Sequence, residues 1–373
     1  MKTLLLGTAA ALTLAAMSPA GAADVPVAPA YKALPVVSSG AFYIWADGSA
    51  QEVNLPTVGL GLKATATTSP FFDQGAVSTF NPRVDGWGTR GAIGYILPPG
   101  TLPSGFGANV RIEVGASYVK ASDTESDGRL ITNNAVTVQN LNGALSSPNA
   151  FICFGVTFNC TAGSSLANDF STWDVYGKVA SDVQIGPLTM TRSWAVFGGQ
   201  GRSNQVLNQT FNQFFTATGV SVDTGLYASA TALSWTDFGT RTGVDFSFAV
   251  NSWLSLGVGG YFGLATRRVS LNGSDFSRST PNILFNNEST VAANSNITVG
   301  VGNAEAGFTV KPLANVTLRG FAGAHFDGAV PGVSSPTFSG SVVAPTGTTP
   351  AGIKFQPETS YYAGGGLMVR FAL

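Results

Sequence analysis

The last thirteen residues of the chain alternate between two faces with a period of two. Apolar and small side chains share one face, which contains Tyr361, Ala363, Gly365, Leu367, Val369, Phe371 and Leu373. The other face carries glycines together with Tyr362, Met368 and Arg370. This pattern is typical of a β-strand with lipid on one side, and strands cross a bilayer only in a closed barrel that pairs every backbone N–H and C=O group. The terminal strand therefore predicts many more strands upstream.

The beginning of the chain predicts export. Lys2 precedes an apolar stretch over residues 4–16, and small residues follow up to Ala22, so residues 1–22 are expected to be a cleavable signal peptide. Residues 23–39 are rich in Pro, Ala and Val, which indicates an extended periplasmic leader because proline cannot pair in a ladder. Residues 40–373 are expected to form one outer-membrane β-barrel domain. No segment has the run of about 20 apolar residues that a spanning helix needs.

Alternating segments predict an all-β fold, a transmembrane barrel of about ten antiparallel strands. The expected strands are 41–50, 84–97, 108–121, 172–185, 188–200, 237–250, 253–268, 297–311, 316–327 and 361–373. Short connections near 98–107, 186–187, 251–252 and 312–315 alternate with long ones near 51–83, 122–171, 201–236, 269–296 and 328–359. Short periplasmic turns and long extracellular loops are the pattern of outer-membrane barrels. The alternation of short and long connections along the chain places both termini in the periplasm.

Two long connections leave the strand count open. Residues 129–141 and 219–234 each contain enough β-prone residues for an extra hairpin or for a strand that extends beyond the membrane. Twelve strands is therefore the alternative count. Within the strand at 188–200, Arg192 shares the parity of apolar Trp194 and Val196, which predicts a bulge or a register change.

The few cysteine and histidine residues limit which kinds of site the chain can form. The two cysteines, Cys153 and Cys160, lie in one polar stretch of an exported chain, so a loop disulfide is expected. With a single histidine in the chain, we expect no metal site and no cofactor. A formal charge of -1 gives no argument for nucleic-acid binding. We expect the tryptophans to form the interfacial girdle that is typical of membrane barrels; they are Trp45, Trp87, Trp173, Trp194, Trp235 and Trp253.

The two ends of the chain resemble a known group of proteins. The leader over residues 22–32, AADVPVAPAYK, followed by Phe42-Tyr43, resembles alphaproteobacterial outer-membrane β-barrel proteins related to the small major surface proteins of that group. The resemblance implies an integral outer-membrane location, although those smaller relatives typically have eight strands. The terminal strand resembles the signal that the outer-membrane assembly machinery recognises, carried here by Tyr361, Leu367, Val369, Phe371 and Leu373. That signal usually ends in an aromatic residue, and this chain ends in leucine.

The faces opposite the apolar ones define the expected lumen. Acids and bases are balanced there; the possible pore-lining charges are Glu113, Asp174, Asp182, Asp237, Asp245, Glu305 and Asp327 against Arg90, Arg111, Lys178, Arg241, Arg267, Arg319 and Arg370. Charges in a narrow lumen must pair or stay wet, because desolvating an isolated ion costs several kcal/mol. Eight strands leave a lumen that side chains fill, whereas open channels are typical of roughly 16 to 18 strands. Ten strands therefore predict a largely occluded lumen.

Three functions follow from this interpretation. The first is a structural or surface-exposed role in the cell envelope, in contact with outer-membrane lipid and lipopolysaccharide and without enzymatic activity. The alternative is a narrow, porin-like passive channel for ions or small solutes. A distant alternative is a hydrolase at the extracellular rim, because His325 and Asp327 share one face near the outer end of a strand, and histidine is the commonest general base. The sequence does not indicate an oligomeric state.

Overall fold

The computed structural model describes residues 40–65, 72–101, 107–131, 137–140, 158–215, 217–280, 287–334, 337–340 and 345–372. The expected signal peptide, the leader, Cys153 and Leu373 lie outside the described residues. The disulfide with Cys160 therefore stays a prediction. Across the described ranges, no helix has both the length and the apolar character required to span a membrane.

The described residues form fifteen strands. Their bounds are β1 Ala41–Asn54, β2 Val58–Thr65, β3 Phe72–Phe80, β4 Arg83–Ile96, β5 Ala108–Ile131, β6 Thr137–Asn140, β7 Phe158–Ile185, β8 Leu188–Phe215, β9 Ser221–Ala249, β10 Leu254–Thr280, β11 Asn287–Leu313, β12 Val316–Ser334, β13 Thr337–Gly340, β14 Pro345–Thr349 and β15 Gly352–Ala372.

Ten of these strands close into one barrel. Going round the barrel their order is β1, β15, β12, β11, β10, β9, β8, β7, β5 and β4. Each neighbouring pair is antiparallel, and β1 pairs with both β4 and β15, so the first and last strands of the chain complete the ring. The prediction of a ten-stranded antiparallel barrel is confirmed. The remaining strands form two small sheets, β3-β2-β6 and β13-β14.

The barrel has two unlike ends. Ala41 pairs with Ala372, and the short connections β4–β5, β7–β8, β9–β10 and β11–β12 lie at this same end, which we name the turn end. The opposite end, named the loop end, carries the connections β1–β4, β5–β7, β8–β9, β10–β11 and β12–β15, which include the two small sheets. Gly186 makes the tight β7–β8 turn at a φ of 59°, a left-handed conformation that glycine adopts without a Cβ clash.

The strands extend much farther toward the loop end than the sequence predicts. β7 has 28 residues and β9 has 29, where a tilted strand crosses a bilayer in about 9–11 residues. The expected loops at 201–236 and 269–296 are largely continuations of β8, β9, β10 and β11. Their outward face mixes polar residues with apolar ones such as Val206 and Leu226, and inward positions such as Gln209 are polar, which removes the hydrophobic alternation on which the prediction depended. Residues 219–234 belong mainly to the extended β9, as one of the two alternatives for this segment required.

The expected irregularity in β8 is absent from its described pairings with β7. The two strands keep one register from Ile185↔Leu188 to Phe158↔Phe215. The predicted bulge is therefore wrong, and Arg192 lies on the outward face near the turn end, where it is exposed. A long arginine side chain at this level can direct its charge toward the water interface while its methylene groups cover apolar surface.

The barrel wall separates an apolar exterior from a filled interior. In the half near the turn end the outward face carries exposed apolar side chains such as Ile93, Val114, Phe246 and Val258. In the other half, inward side chains pack into an apolar plug that we define as Val53, Leu55, Val84, Ala121, Phe170, Leu233, Trp235, Val269, Leu271, Val291 and Ala351. Burying a leucine of this kind contributes about 1.5–3 kcal/mol. The fold is that of an outer-membrane β-barrel.

Candidate functional site in the barrel lumen

Strand parity directs a series of charged side chains into the lumen. Successive residues of a strand point to opposite faces, so the polar set opposite the outward apolar residues faces inward. The structure places all fourteen charges considered above on inward positions. It adds Asp47, which the sequence analysis missed although Asp47 shares the parity of Tyr43 and Trp45 opposite Phe42 and Ile44.

Glu113 lies at the centre of a polar cluster on the turn-end side. Its Oε2 accepts hydrogen bonds from the Tyr43 hydroxyl at 2.9 Å and from the Trp45 indole N–H at 3.0 Å. Its Oε1 accepts one from the Tyr176 hydroxyl at 3.0 Å and pairs with Lys178 Nζ at 2.5 Å. Four donors from two strands, β1 and β7, converge on this carboxylate, which compensates the cost of burying its charge.

Two acids and two arginines form a second cluster, which joins the four strands β1, β4, β11 and β12 across the lumen. Arg90 on β4 bridges Asp47 Oδ2 at 2.9 Å and Glu305 Oε2 at 3.0 Å. Arg319 on β12 contacts the same two carboxylates, Asp47 at 3.4 Å and Glu305 through Nη2. The Tyr362 hydroxyl donates to Glu305 at 3.1 Å. We name Asp47, Arg90, Glu305 and Arg319 the four-charge cluster.

Arg241 lies among aromatic rings on the next level. Its Cζ is 4.6 Å from the Tyr176 ring centroid, 4.9 Å from that of Tyr261 and 5.3 Å from that of Phe197. The nearest acid is Asp174, at 3.7 Å. Ring faces attract a guanidinium through their quadrupole, so this cation is held by three rings in addition to one carboxylate.

Arg267 closes the charged part of the lumen beneath the plug. Its Nε and Nη2 donate to Asp237 at 2.8 and 2.7 Å, and its Nη1 and Nη2 donate to Asp327 at 3.0 and 2.8 Å. Nη1 also donates to the Ala329 carbonyl at 2.8 Å. These five hydrogen bonds match the five N–H donors of a guanidinium. The centroid of the Trp235 ring lies 5.7 Å from Arg267 Cζ, so the ring covers the same guanidinium group.

The remaining expected lumen charges lie near the turn end or at the middle of the lumen. Arg111 pairs with Asp182 at 3.1 Å, and Thr191 donates to the same carboxylate at 2.7 Å. Asp245 and Arg370 form no ion pair with any residue of the described ranges. Most of the inward charge is thus compensated by pairing.

Two cavities occupy the lumen. One of about 350 Å³ lies on the plug side, and one of about 400 Å³ lies on the turn-end side. Residues common to both linings mark a waist between them; they are Trp45, Lys178, Asp245, Gly259, Glu305 and Arg319. The four-charge cluster contributes Glu305 and Arg319 to this waist, so side chains rather than the backbone separate the two spaces.

The His325–Asp327 pair does not assemble as a rim dyad. Both residues face the lumen, and both carboxylate oxygens of Asp327 accept hydrogen bonds from Arg267, while the Ala329 amide donates to Oδ1 at 2.9 Å. The Asp327 carboxylate is thus committed to Arg267, and no hydrogen bond joins it to His325 among the described contacts. The girdle expectation also fails for two tryptophans, because Trp45 and Trp235 face inward.

Several outward aromatic residues do lie at the limits of the apolar band. The ring centroids of Trp87 and Tyr118 are 5.4 Å apart, and Tyr118 is directly opposite Trp173 on the neighbouring strand. In the terminal strand β15, the expected assembly-signal residues Tyr361, Leu367, Val369 and Phe371 share the outward face, as the register with β1 and β12 requires. Interfacial aromatic residues of this kind are typical of membrane barrels.

Beyond the apolar band, the extended wall contains a buried hydrogen-bonded pair, Tyr227 and Asp275. The Tyr227 hydroxyl donates to Asp275 Oδ2 at 3.1 Å, and Ser289 donates to the other oxygen of that carboxylate. Tyr227 is only 3% exposed and packs with Leu166 and Leu207. Burial raises the pKa of the Tyr227 hydroxyl, and the neighbouring Asp275 charge raises it further.

Similarity to known proteins is found at the level of structure. No protein-family model matches the chain, and no curated protein matches its sequence. Among solved structures it is similar to the outer-membrane protease OmpT of Escherichia coli, at 13% identity and a TM-score of 0.39, covering 88% of this chain and 97% of that one. It is also similar to the toluene transporter TodX of P. putida, at 7% identity and a TM-score of 0.21, covering 90% and 91%. The translocator domain of the autotransporter NalP of Neisseria meningitidis matches at 10% identity and a TM-score of 0.21, covering 89% of each chain.

The OmpT match corrects one expectation. The main prediction from the sequence was a protein without enzymatic activity, with a rim hydrolase only as a distant alternative. That prediction is wrong as it stands, because a protease is among the barrels similar to this chain. At this identity and TM-score the likeness concerns the fold and assigns no activity to the chain.

Proposed function

We propose that the protein is an integral outer-membrane β-barrel that presents a rigid, paired β-wall on the cell surface and keeps its lumen closed at rest. The observation that carries this proposal is the length of β7 to β11, which have 27 to 29 residues each. About 9–11 residues suffice to cross the bilayer, so most of each strand lies outside it. The turn end then faces the periplasm and the loop end faces the exterior.

The interior supports a closed resting state. The apolar plug fills the barrel where the wall leaves the membrane, and Arg267 closes the space beneath it with five hydrogen bonds. Breaking such a buried ion pair costs several kcal/mol, so the closure is stable on its own. A structural and surface-display role fits this arrangement. The proposal also includes export by the signal peptide, insertion by the outer-membrane assembly machinery, contact with lipopolysaccharide and kinship with the alphaproteobacterial barrel proteins.

Site-specific labelling tests the orientation and the surface wall. With Cys153 and Cys160 replaced by serine, single cysteines at Arg278, Phe238 and Gln184 report three levels of the barrel. We expect a membrane-impermeant maleimide to label position 278 in intact cells and position 184 only after the outer membrane is permeabilised. Position 238 should remain unlabelled because lipid covers it. Labelling of position 184 in intact cells would overturn the orientation.

A narrow channel is the second candidate, and the two lumen cavities favour it. They share a waist of side chains, so a rearrangement of the four-charge cluster would join them. Single-channel recording of the refolded, heat-modifiable protein in a planar bilayer separates the two candidates. Silence from inserted protein supports the closed barrel. Steps that scale with salt and change in Arg111→Ala or Asp245→Ala would make transport the function.

A further inference from the structure

The outward face of the wall carries a polar groove immediately beyond the apolar band. The groove has a volume of about 780 Å³ and crosses β7 to β11. Its outward lining includes Trp173, Gln200, Arg202, Arg268, Asn294 and Asn296. Arg202, Asn294 and Asn296 were expected to lie in loops, and Trp173, Gln200 and Arg268 at the ends of strands, so the sequence did not place them on one surface.

The strand register arranges the groove in two rows. Gln200 is opposite Thr236, which is opposite Arg268, which is opposite Asn296. One step farther from the apolar band, Arg202, Ser234, Ser270 and Asn294 form the second row in the same way. Neighbouring strands are about 4.8 Å apart, so the strands of the two arginines are separated by about 10 Å, within reach of one phosphorylated group.

The two guanidinium groups retain free donor capacity. Arg268 is exposed and has no hydrogen bond or ion pair with any residue of the described ranges. Arg202 donates through Nε to Asn204 Oδ1 at 2.9 Å, which leaves its two Nη groups available as donors to a ligand. The outward acid Asp169 is opposite Asn204, and no ion pair joins it to Arg202 within the described ranges. Two unpaired cations flanked by amide side chains form a site for an anion.

The surface next to the groove determines what kind of anion fits. Toward the turn end lie Trp173, Phe238 and Leu264, and Phe238 is 71% exposed. A molecule that occupies both surfaces must carry a phosphate next to apolar chains. Guanidinium groups bind phosphate with charge-assisted hydrogen bonds, and acyl chains cover the apolar surface below.

We propose that Arg202 and Arg268 bind the phosphate of a phosphorylated glycolipid of the outer leaflet, of the lipid A type. The inference rests on the proposed membrane placement, which puts this groove at the headgroup level of that leaflet. A free phosphate ion would use the polar rows alone, whereas the lipid uses the apolar surface as well. Gln200, Asn294 and Asn296 supply further donors to the same headgroup.

Lipid binding by the refolded protein in micelles tests this site. The probes are diphosphorylated lipid A, its dephosphorylated form with identical acyl chains, and inorganic phosphate. We expect the phosphorylated lipid to bind at least about tenfold more tightly than the dephosphorylated lipid, since only the phosphorylated form accepts charge-assisted hydrogen bonds from the two guanidinium groups. The double variant Arg202→Gln, Arg268→Gln should lose this preference. Arg278→Gln is the matched control, an exposed outward arginine of the same strand β10, ten residues beyond Arg268, and should retain it.

The alternatives give different results. Equal binding of the two lipids, or an unchanged preference in the double variant, would overturn the lipid site. Displacement of the lipid by an equal concentration of inorganic phosphate would assign the arginines to a free anion instead. Heat-modifiable migration and insertion into vesicles are measured on every sample, so failure of the membrane proposal is seen separately. If the double variant does not fold, Arg268→Gln alone carries the test, because that side chain is exposed.

Discussion

Arg267 and Asp237 form a two-bond ion pair inside the barrel, with Nε–Oδ1 and Nη2–Oδ2 distances of 2.8 and 2.7 Å. Asp327 holds the other edge of the same guanidinium, whose side chain is 2% exposed. The three residues come from β9, β10 and β12, so this contact connects strands that are not all neighbours in the barrel. It is placed where the polar lumen meets the apolar plug.

Removing this guanidinium should destabilise the barrel strongly. Arg267→Met leaves the carboxylates of Asp237 and Asp327 buried and close together without a cation. We expect the free energy of unfolding to fall by about 3–5 kcal/mol, the usual effect of breaking a buried ion pair from one side. Urea unfolding of the refolded protein in micelles measures the change. Arg278→Met is the control and should change stability by less than about 0.5 kcal/mol. An equal effect of both variants would contradict the role given to Arg267.

The four-charge cluster should control the waist of the lumen. The double variant Arg90→Ala, Arg319→Ala removes both cations that bridge Asp47 and Glu305, and it widens the passage between the two cavities. We expect measurable conductance where the wild type is silent or weaker, with a preference for cations because the carboxylates remain. Planar-bilayer recording with salt gradients measures both properties. Arg192→Ala, on the outward face, should leave the conductance unchanged. An anion preference in the double variant would contradict this account of the waist.

One glycine is required by the packing of the plug. A Cβ atom at Gly201 would lie 2.1 Å from two carbons of the Trp235 ring, which itself packs against Phe170 at 5.9 Å. We expect Gly201→Ala to lower the free energy of unfolding by about 1–3 kcal/mol, because the indole must move within a filled core. Gly48→Ala is the matched control, since a Cβ there meets nothing within 4 Å. Similar stability of the two variants in urea unfolding would contradict the tight contact.

The sequence revealed the transmembrane half of the barrel more completely than the extended wall. In the membrane half, lipid requires apolar outward residues, so strands such as 108–121 and 237–250 show a clear period of two. In the extended wall beyond the membrane, both the outward and the inward face mix polar and apolar residues. At Asn204, Asn208 and Thr210 of β8 the outward residues are polar, and the segment therefore resembles a loop.

For the lumen, the sequence showed which charged side chains face inward but not which of them form ion pairs. Parity was enough to direct Glu113 and Arg90 inward, because it depends only on the position of a residue in its strand. The partners depend on side chains from strands far apart in sequence, and Arg90 and Glu305 are 215 residues apart. The same limit explains the rim hypothesis, because His325 and Asp327 share a face, yet Arg267 from another strand takes the carboxylate.

The Tyr227–Asp275 pair makes the extended wall sensitive to alkaline pH. Burial and the Asp275 charge raise the pKa of the Tyr227 hydroxyl above its ordinary value of about 10. Above that pH the unfolded chain releases this proton while the folded wall retains it. The folded state then binds more protons, so stability falls as pH rises further. We expect Tyr227→Phe to weaken this decline in urea unfolding between neutral and alkaline pH. The difference in tyrosinate absorbance between wild type and variant should titrate above pH 10, and a midpoint at or below the ordinary value would contradict the buried hydrogen bond.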